Sequence, residues 1–310
     1  MQIYVSGSLA YDRIMDFPEK FSDHILPDKI HVLNVSFVVN GLEERFGGTA
    51  GNIAFNLALL GERPIILAAA GKDFSEYSDW LTGLGLSPEG IRILPSELTA
   101  CAYITTDKAD NQITGFNPGA MKYPSLQNID GADPGDTLAI LAPGNVEDML
   151  TYSRVYKERG ISYIFDPGQQ IPALGGENIA EIVKGSRMLI SNDYELELIM
   201  RSTNLSKTDL LERTDCIITT LGDKGSVVIT KREQVNIPIV PVDSVLDPTG
   251  AGDAYRAGLI KGLITGKSLV ECARMGSVNA SYSVECQGTQ CHRFTEDDFW
   301  ARYHAQFGDR

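Results

Sequence analysis

Residues 247–258, D-P-T-G-A-G-D-A-Y-R-A-G, place three small residues directly before a carboxylate and a helix-forming run. Gly250, Ala251 and Gly252 can bring consecutive backbone N–H groups close to an anion. A helix starting there adds its own unpaired N–H groups and the positive end of its dipole. Asp253, on the rim of such a cradle, repels whatever the cradle binds. A chemical role accounts for it: an acid there can take a proton from a hydroxyl while the cradle stabilises charge on a phosphoryl group in transfer. The competing reading is an acid favoured in a first helical turn by the dipole alone.

Other segments carry groups that could serve the same reaction. In F-G-G-T-A-G-N-I-A-F-N-L-A-L-L-G (residues 46–61), Gly47 and Gly48 permit close backbone approach to a ligand, and Asn52 could offer its amide to a sugar hydroxyl. Tight helix packing by small residues is the alternative. Asp12, in G-S-L-A-Y-D, is expected just past the first strand's end, where a carboxylate can accept hydrogen bonds from a vicinal diol or simply cap a loop. In S-N-D-Y-E, Asn192 and Glu195 fall on one helical face, able either to order a hydrated magnesium ion or to form an N-terminal cap. Thr220, Gly222 and Gly225, in T-T-L-G-D-K-G-S, suit a phosphate-side loop or a plain hairpin turn. G-L-I-T-G-K-S at 262–268 is one residue too short for a Walker loop and follows a helix. The Gly250–Gly252 pair lacks the third glycine of a dinucleotide fingerprint.

The elements that must position these groups alternate. Strands are predicted over 2–6, 64–69, 137–141, 161–165, 188–190 and 216–220, and helices over 51–60, 74–84, 146–158, 194–201, 207–213 and 269–283. This rhythm describes a parallel sheet covered by helices on both faces. Two regions break it as apparent hairpins: 35–46, with its Asn40-Gly41 turn signal, and 100–116. Half-polar strands without intervening helices suit a small separate sheet over the carboxyl edge of the main one, where open α/β folds bind ligands. The expectation is one domain over 1–310, with a lid formed by insertions at about 12–46 and 99–117.

Composition agrees with one large α/β unit: 310 residues, 43% hydrophobic and 22% charged, can bury a sizeable core. A net charge of −14 argues against nucleic acid and anionic membrane as partners, so an anionic nucleotide has to be held locally by N–H groups and a metal ion. The five cysteines are odd in number, spread out and without a C-x-x-C pair, which predicts reduced thiols; Cys291-His292 lacks further ligands at zinc spacing. No apolar run reaches membrane-spanning length, and a cytoplasmic location is expected.

Taken together, G-G-T-A-G-N, N-D-Y-E, T-L-G-D-K-G and D-P-T-G-A-G-D-A-Y-R-A-G, in that order, resemble the ribokinase-like (PfkB) carbohydrate kinases over nearly the whole chain. The resemblance implies a Rossmann-like core with a β lid that often also serves as a dimer clasp, and phosphoryl transfer from magnesium ATP to a primary hydroxyl. It implies Asp253 as base, Gly250, Ala251 and Gly252 as anion hole, and Asn192 and Glu195 around magnesium. It further implies Thr220, Gly222, Gly225 and Asn279 on ATP, Asp12, Gly48 and Asn52 on the sugar, and Asp247 and Thr249 beside a K+ ion. Within the family, G-S-L-A-Y-D-R-I-M-D-F-P, N-V-S-F, F-N-P-G-A-M and D-P-G-Q-Q are most similar to the bacterial adenosine kinases, which implies Ser8, Ser36, Phe116, Gln169 and Gln170 around a purine and adenosine as acceptor. Ala102 departs from that group, where a second lid aromatic is usual, and Tyr103 should face the other way in a strand. A ribokinase-like sugar kinase and a non-catalytic nucleoside-binding protein are the alternatives.

Overall fold

The computed structural model describes residues 1–308 apart from 26, 33 and 110. In chain order the strands are β1 (Gln2–Ser6), β2 (Ala10–Phe17), β3 (Leu42–Gly47), β4 (Ile65–Gly71), β5 (Ile91–Leu94), β6 (Ala100–Asp107), β7 (Gln112–Asn117), β8 (Thr137–Leu141), β9 (Ser162–Phe165), β10 (Met188–Asn192), β11 (Cys216–Thr220), β12 (Ser226–Ile229) and β13 (Gln234–Ile237). The helices are α1 (Phe21–His24), α2 (Thr49–Leu59), α3 (Ser75–Gly83), α4 (Val146–Arg159), α5 (Ile171–Val183), α6 (Asp193–Thr203), α7 (Lys207–Leu211), α8 (Ala251–Ile264), α9 (Leu269–Ser283) and α10 (Glu296–Phe307).

Nine strands form the main sheet in the order β13-β12-β11-β10-β9-β8-β1-β4-β5, parallel except where β12 meets its two neighbours. The apolar runs of its central strands divide by alternation between two cores. Ile3, Val5, Leu138, Ile140, Ile164, Met188 and Ile190 face α2, α3, α8 and α9. Tyr4, Ala139, Leu141, Tyr163, Phe165 and Leu189 face α4, α5 and α6. Near-continuous hydrophobicity is thus a consequence of burial on both sides. Strand order reverses between β8 and β1, which opens a crevice at their carboxyl ends.

The remaining strands form a four-stranded sheet, β3-β2-β6-β7. The β6–β7 hairpin matches expectation. The hairpin expected at Asn40-Gly41 does not form: β3 pairs antiparallel with β2, and residues 34–39 are not a strand. Phe37 is drawn instead into a cluster with Phe17 and Phe21, while Asn40 donates from its backbone and its side chain to Asp16.

The cysteine expectation is also corrected. Cys286 and Cys291 form a disulfide across a turn through Gly288, whereas Cys101, Cys216 and Cys272 are buried thiols. Sequence spacing gave no sign of this pair, because five residues close a loop only when the chain doubles back. Closing so short a loop stabilises a fold by about 2 kcal/mol. Reduction, or Cys286→Ser with Cys291→Ser, is therefore expected to lower Tm by about 3 °C in calorimetry. Among the described residues no helix is long and apolar enough to cross a membrane.

Candidate active site

Gly250, the residue before α8, has φ +78°, and a Cβ there would lie 2.9 Å from Thr289 Cγ2, so this turn requires glycine. Beyond it, the N–H of Ala251 donates to Pro248 O at 3.2 Å. The N–H groups of Gly250, Gly252 and Asp253 have no partner among the described residues. Of these residues Gly252, with Ala251, lines a cavity of about 500 Å³ together with Thr220, Gly222, Gly225, Val240, Pro241 and Val284. Apolar walls at one end and free N–H groups at the other suit a nucleotide, with its base in the slot and its phosphates on the helix N-terminus.

Asn279 does not reach this cavity. Helix α9 presents Ser277, Ala280 and Ser281 to it, and Asn279, a different phase of the same helix, is fully buried. Its amide donates to Asn56 Oδ1 at 3.1 Å and to Ala254 O at 2.7 Å, which ties α9 to α2 and α8.

Asp253 is not among the residues lining this cavity, and its side chain is held by α2. Its Oδ2 accepts from Asn52 Nδ2 at 2.9 Å. Burial pushes the Asp253 carboxyl up to about 6, reinforced by the nearby Asp166 carboxylate and opposed by the Arg256 guanidinium and the Asn52 hydrogen bond. A partly buried acid with that affinity ionises near neutrality, where a general base is most useful.

Two residues that the sequence reading missed lie beneath the cradle. Arg256 is buried; its Nε forms an ion pair with Asp166 at the end of β9, and its Nη1 donates to Gly252 O at 2.9 Å. Burial opposes the guanidinium charge, but Asp166 more than offsets this and holds Arg256 above its ordinary pKa. Anchoring the Gly252 carbonyl fixes the peptide that carries the Asp253 N–H. The available signal was one cation in the otherwise small and apolar run A-Y-R-A-G-L-I.

Asn192 and Glu195 form a reciprocal cap on α6: Glu195 N–H donates to Asn192 Oδ1 at 2.7 Å, and Asn192 N–H to Glu195 Oε2 at 2.8 Å. The cap leaves the other Glu195 oxygen unengaged. Burial and the Asp166 carboxylate raise Glu195, with Arg256 opposing, so Glu195 belongs to the same charge cluster. Asp166 Oδ1 is a buried oxygen without a hydrogen bond. Carboxylate oxygens without a protein partner are of the type that hold a hydrated divalent cation, which needs only one or two of them from the protein. In Asp247, Oδ1 accepts from Thr249 N–H and Oδ2 from Gly288 N–H, each at 2.9 Å; Thr249 is exposed.

On the facing side, Asp12 lies on β2 and not in a loop. Register places Arg45, Asp12, Ala102 and Phe116 in one row on one face of the small sheet. Among the described residues the Asp12 side chain makes no hydrogen bond; burial and Asp247 push its carboxyl up, and Arg45 pulls it down. Phe116 is 52% exposed, an aromatic face without a ring partner among the described residues. Tyr103 is on the opposite face, where its hydroxyl accepts from Arg13 Nη1 at 3.0 Å. Gly48 (φ +86°) lets β3 meet α2 against the chain after β1, since a Cβ there would be 2.6 Å from Ser8 O. Ser8 itself is engaged at that junction, its Oγ accepting from Thr49 N–H at 3.0 Å. Among the described residues Ser36 and Gln169 are exposed without side-chain hydrogen bonds, and Gln170 lines a separate cavity of about 510 Å³ with Met121, Asn145 and Arg154.

Similarity to known proteins follows the same outline. The solved nucleoside kinase of Burkholderia thailandensis in complex with inosine superposes with a TM-score of 0.87 at 36% identity, covering 99% of each chain. The structure of the Methanocaldococcus jannaschii nucleoside kinase superposes with a TM-score of 0.88 at 31% identity, over 98% of this chain and 99% of that one. In sequence, a nucleoside kinase of M. jannaschii is 34% identical over 267 residues, 85% of this chain and 87% of its own length. The family model for pfkB family carbohydrate kinases matches residues 12–293, from the Asp12 carboxylate to the segment after Gln290. With cradle, acid and small sheet in one frame, this chain belongs to the pfkB family of carbohydrate kinases.

Proposed function

We propose that the protein transfers the γ-phosphoryl group of ATP to the 5′-hydroxyl of a nucleoside, with adenosine as the first acceptor to test. One observation carries this reading: the first turn of α8 lines the apolar slot with Ala251 and Gly252 and carries next to them the Asp253 carboxylate, bonded to Asn52 of α2, while the small sheet aligns Arg45, Asp12, Ala102 and Phe116 in one row. The relatives named nucleoside kinases, one of them solved with inosine, support the acceptor class.

In this scheme the base stacks on Phe116, and Asp12 accepts hydrogen bonds from the ribose diol. The small sheet acts as a lid that excludes water, which otherwise competes as acceptor. Asp253 takes the proton of the 5′-hydroxyl as the oxygen attacks phosphorus. The N–H groups of Gly252 and Asp253 stabilise charge on the γ-phosphoryl group in transfer as ADP leaves, and Arg256, through the Gly252 carbonyl, holds the peptide of the Asp253 N–H in place. Magnesium, when bound with ATP, neutralises phosphate charge, with Glu195 and Asp166 the residues suited to hold its waters.

Asp12→Ala removes charged acceptors from the diol, worth about 1.5–3 kcal/mol, so KM for the nucleoside should rise roughly 10- to 150-fold with a smaller change in kcat. Steady-state kinetics at saturating ATP checks it. The acceptor class is tested by ADP release from ATP over a panel of nucleosides and free sugars. Ala102 favours a second reading, since a single lid aromatic leaves room for a sugar without a base. Ribose or fructose turned over far better than every nucleoside would establish that reading instead. ATP and nucleoside binding without product would establish a binding protein.

A further inference from the structure

Asn52 can position Asp253 only if its amide is turned the right way round, because its oxygen in place of its nitrogen would face a carboxylate. The side chain that turns it is Gln290, whose Nε2 donates to Asn52 Oδ1 at 3.0 Å. Gln290 is itself fixed from two sides by groups whose polarity cannot reverse. The Trp80 indole N–H, which can only donate, meets Gln290 Oε1 at 2.9 Å. The Tyr77 hydroxyl donates to the carbonyl of Gly47 at 2.8 Å and therefore accepts from Gln290 Nε2 at 2.6 Å.

The backbone holds Gln290 in an uncommon state to achieve this. It has φ +58°, a left-handed conformation that costs free energy in a residue with a side chain, and it is 5% exposed. The loop that imposes this is closed by Cys286–Cys291 and tied down by Gly288 N–H to Asp247 and by Thr289 Oγ1 to Phe46 O at 2.6 Å.

We infer that Gln290 is a positioning residue for phosphoryl transfer: anchored by Trp80 and Tyr77, it sets the orientation of the Asn52 amide and through it the placement and ionisation of Asp253. The inference rests on the assignment of Asp253 as base. Of the groups facing Asp253, Arg256 from its own helix favours the carboxylate; Asp166 at the end of β9 and the buried Tyr77 of α3 do not, and Glu195 of α6 acts through Arg256. The Asn52 hydrogen bond acts with Arg256, so its loss raises the pH at which the base ionises.

The test is the pH dependence of kcat for Gln290→Met, which keeps the length and removes the polarity. The acidic limb should move up by roughly half to one pH unit, with kcat recovering toward the parent value by pH 9 and KM for ATP unchanged. A uniform loss at every pH, or a profile superimposable on the parent's, overturns the inference. If Gln290→Met does not fold, Tyr77→Phe with Trp80→Phe frees Gln290 to reverse, and the same two outcomes decide. Asp253→Asn keeps the two ideas apart. Turnover abolished there with an unmoved Gln290→Met profile removes the relay alone; turnover retained removes the base, and the relay with it.

Discussion

Asp253→Asn is expected to lower kcat by about 10³-fold while ATP still binds with near-parental affinity. The substitution keeps an oxygen for Asn52 Nδ2 and leaves the cradle N–H groups in place, so only the proton acceptor is lost. Stopped-time assays of nucleotide product, with calorimetric titration of ATP, measure both halves. For the unmodified protein, kcat should fall as pH drops through about 6, because protonated Asp253 cannot accept the hydroxyl proton.

The same substitution should stabilise the fold. An acid whose folded pKa is raised from 3.8 to about 6 is held more tightly protonated in the native than in the unfolded state, so stability declines as pH rises through that window and the deficit is complete above it. Asparagine removes the deficit, worth about 1–3 kcal/mol for a partly exposed group. Tm of Asp253→Asn should therefore exceed the parent's at pH 8 and converge with it near pH 4. A kinase that loses turnover and gains stability in one substitution shows the conflict between a destabilised acid and a relaxed fold. Equal melting at both pH values would remove the raised acid from the account.

Arg256→Leu carries the largest expected stability loss, about 3–5 kcal/mol, because it leaves the Asp166 carboxylate buried without its cation. For a chain of this length that is a fall in Tm of roughly 5–8 °C. Activity should suffer separately: without the guanidinium, the Gly252 carbonyl is unanchored and Asp253 ionises at still higher pH. Arg256→Leu with Asp166→Leu distinguishes the two effects. The double variant should regain most of the melting temperature, since neither charge is then stranded, but not the parental pH profile. A double variant as inactive at pH 9 as at pH 7 would point to the cradle geometry alone, without an electrostatic part.

Legibility in the sequence followed how local each device is. The cradle and Asp253 occupy one unbroken segment whose glycine, acid and helix signals reinforce one another, so both chemistry and local structure could be inferred there. The alternating strands carried the main sheet for the same reason. Helix α5 was not anticipated because Gly175-Gly176 reads as a break. Gly175 has φ +72°, and Gly176 is small because α5 passes over the end of α6, where a Cβ would meet Ser202 O at 1.8 Å. Asn40-Gly41 misled because a turn signal says where a chain bends, not which strand it will join. Arg256 with Asp166, and Gln290 with Asn52, escaped because each pair spans a long stretch of chain. One residue of a pair gives no periodic or compositional sign of the other.

The pairing of the small sheet has an implication for how the chain assembles. Strands β2 and β6 lie side by side in parallel, Ala10 opposite Ala100 and Phe17 opposite Asp107, although α1, β3, α2, β4, α3 and β5 intervene. Contacts this distant along the chain form late, once the intervening segments have brought their ends together. The small sheet is thus expected to be the last part to fold and the first to open, and its amides should exchange with solvent ahead of those of the main sheet.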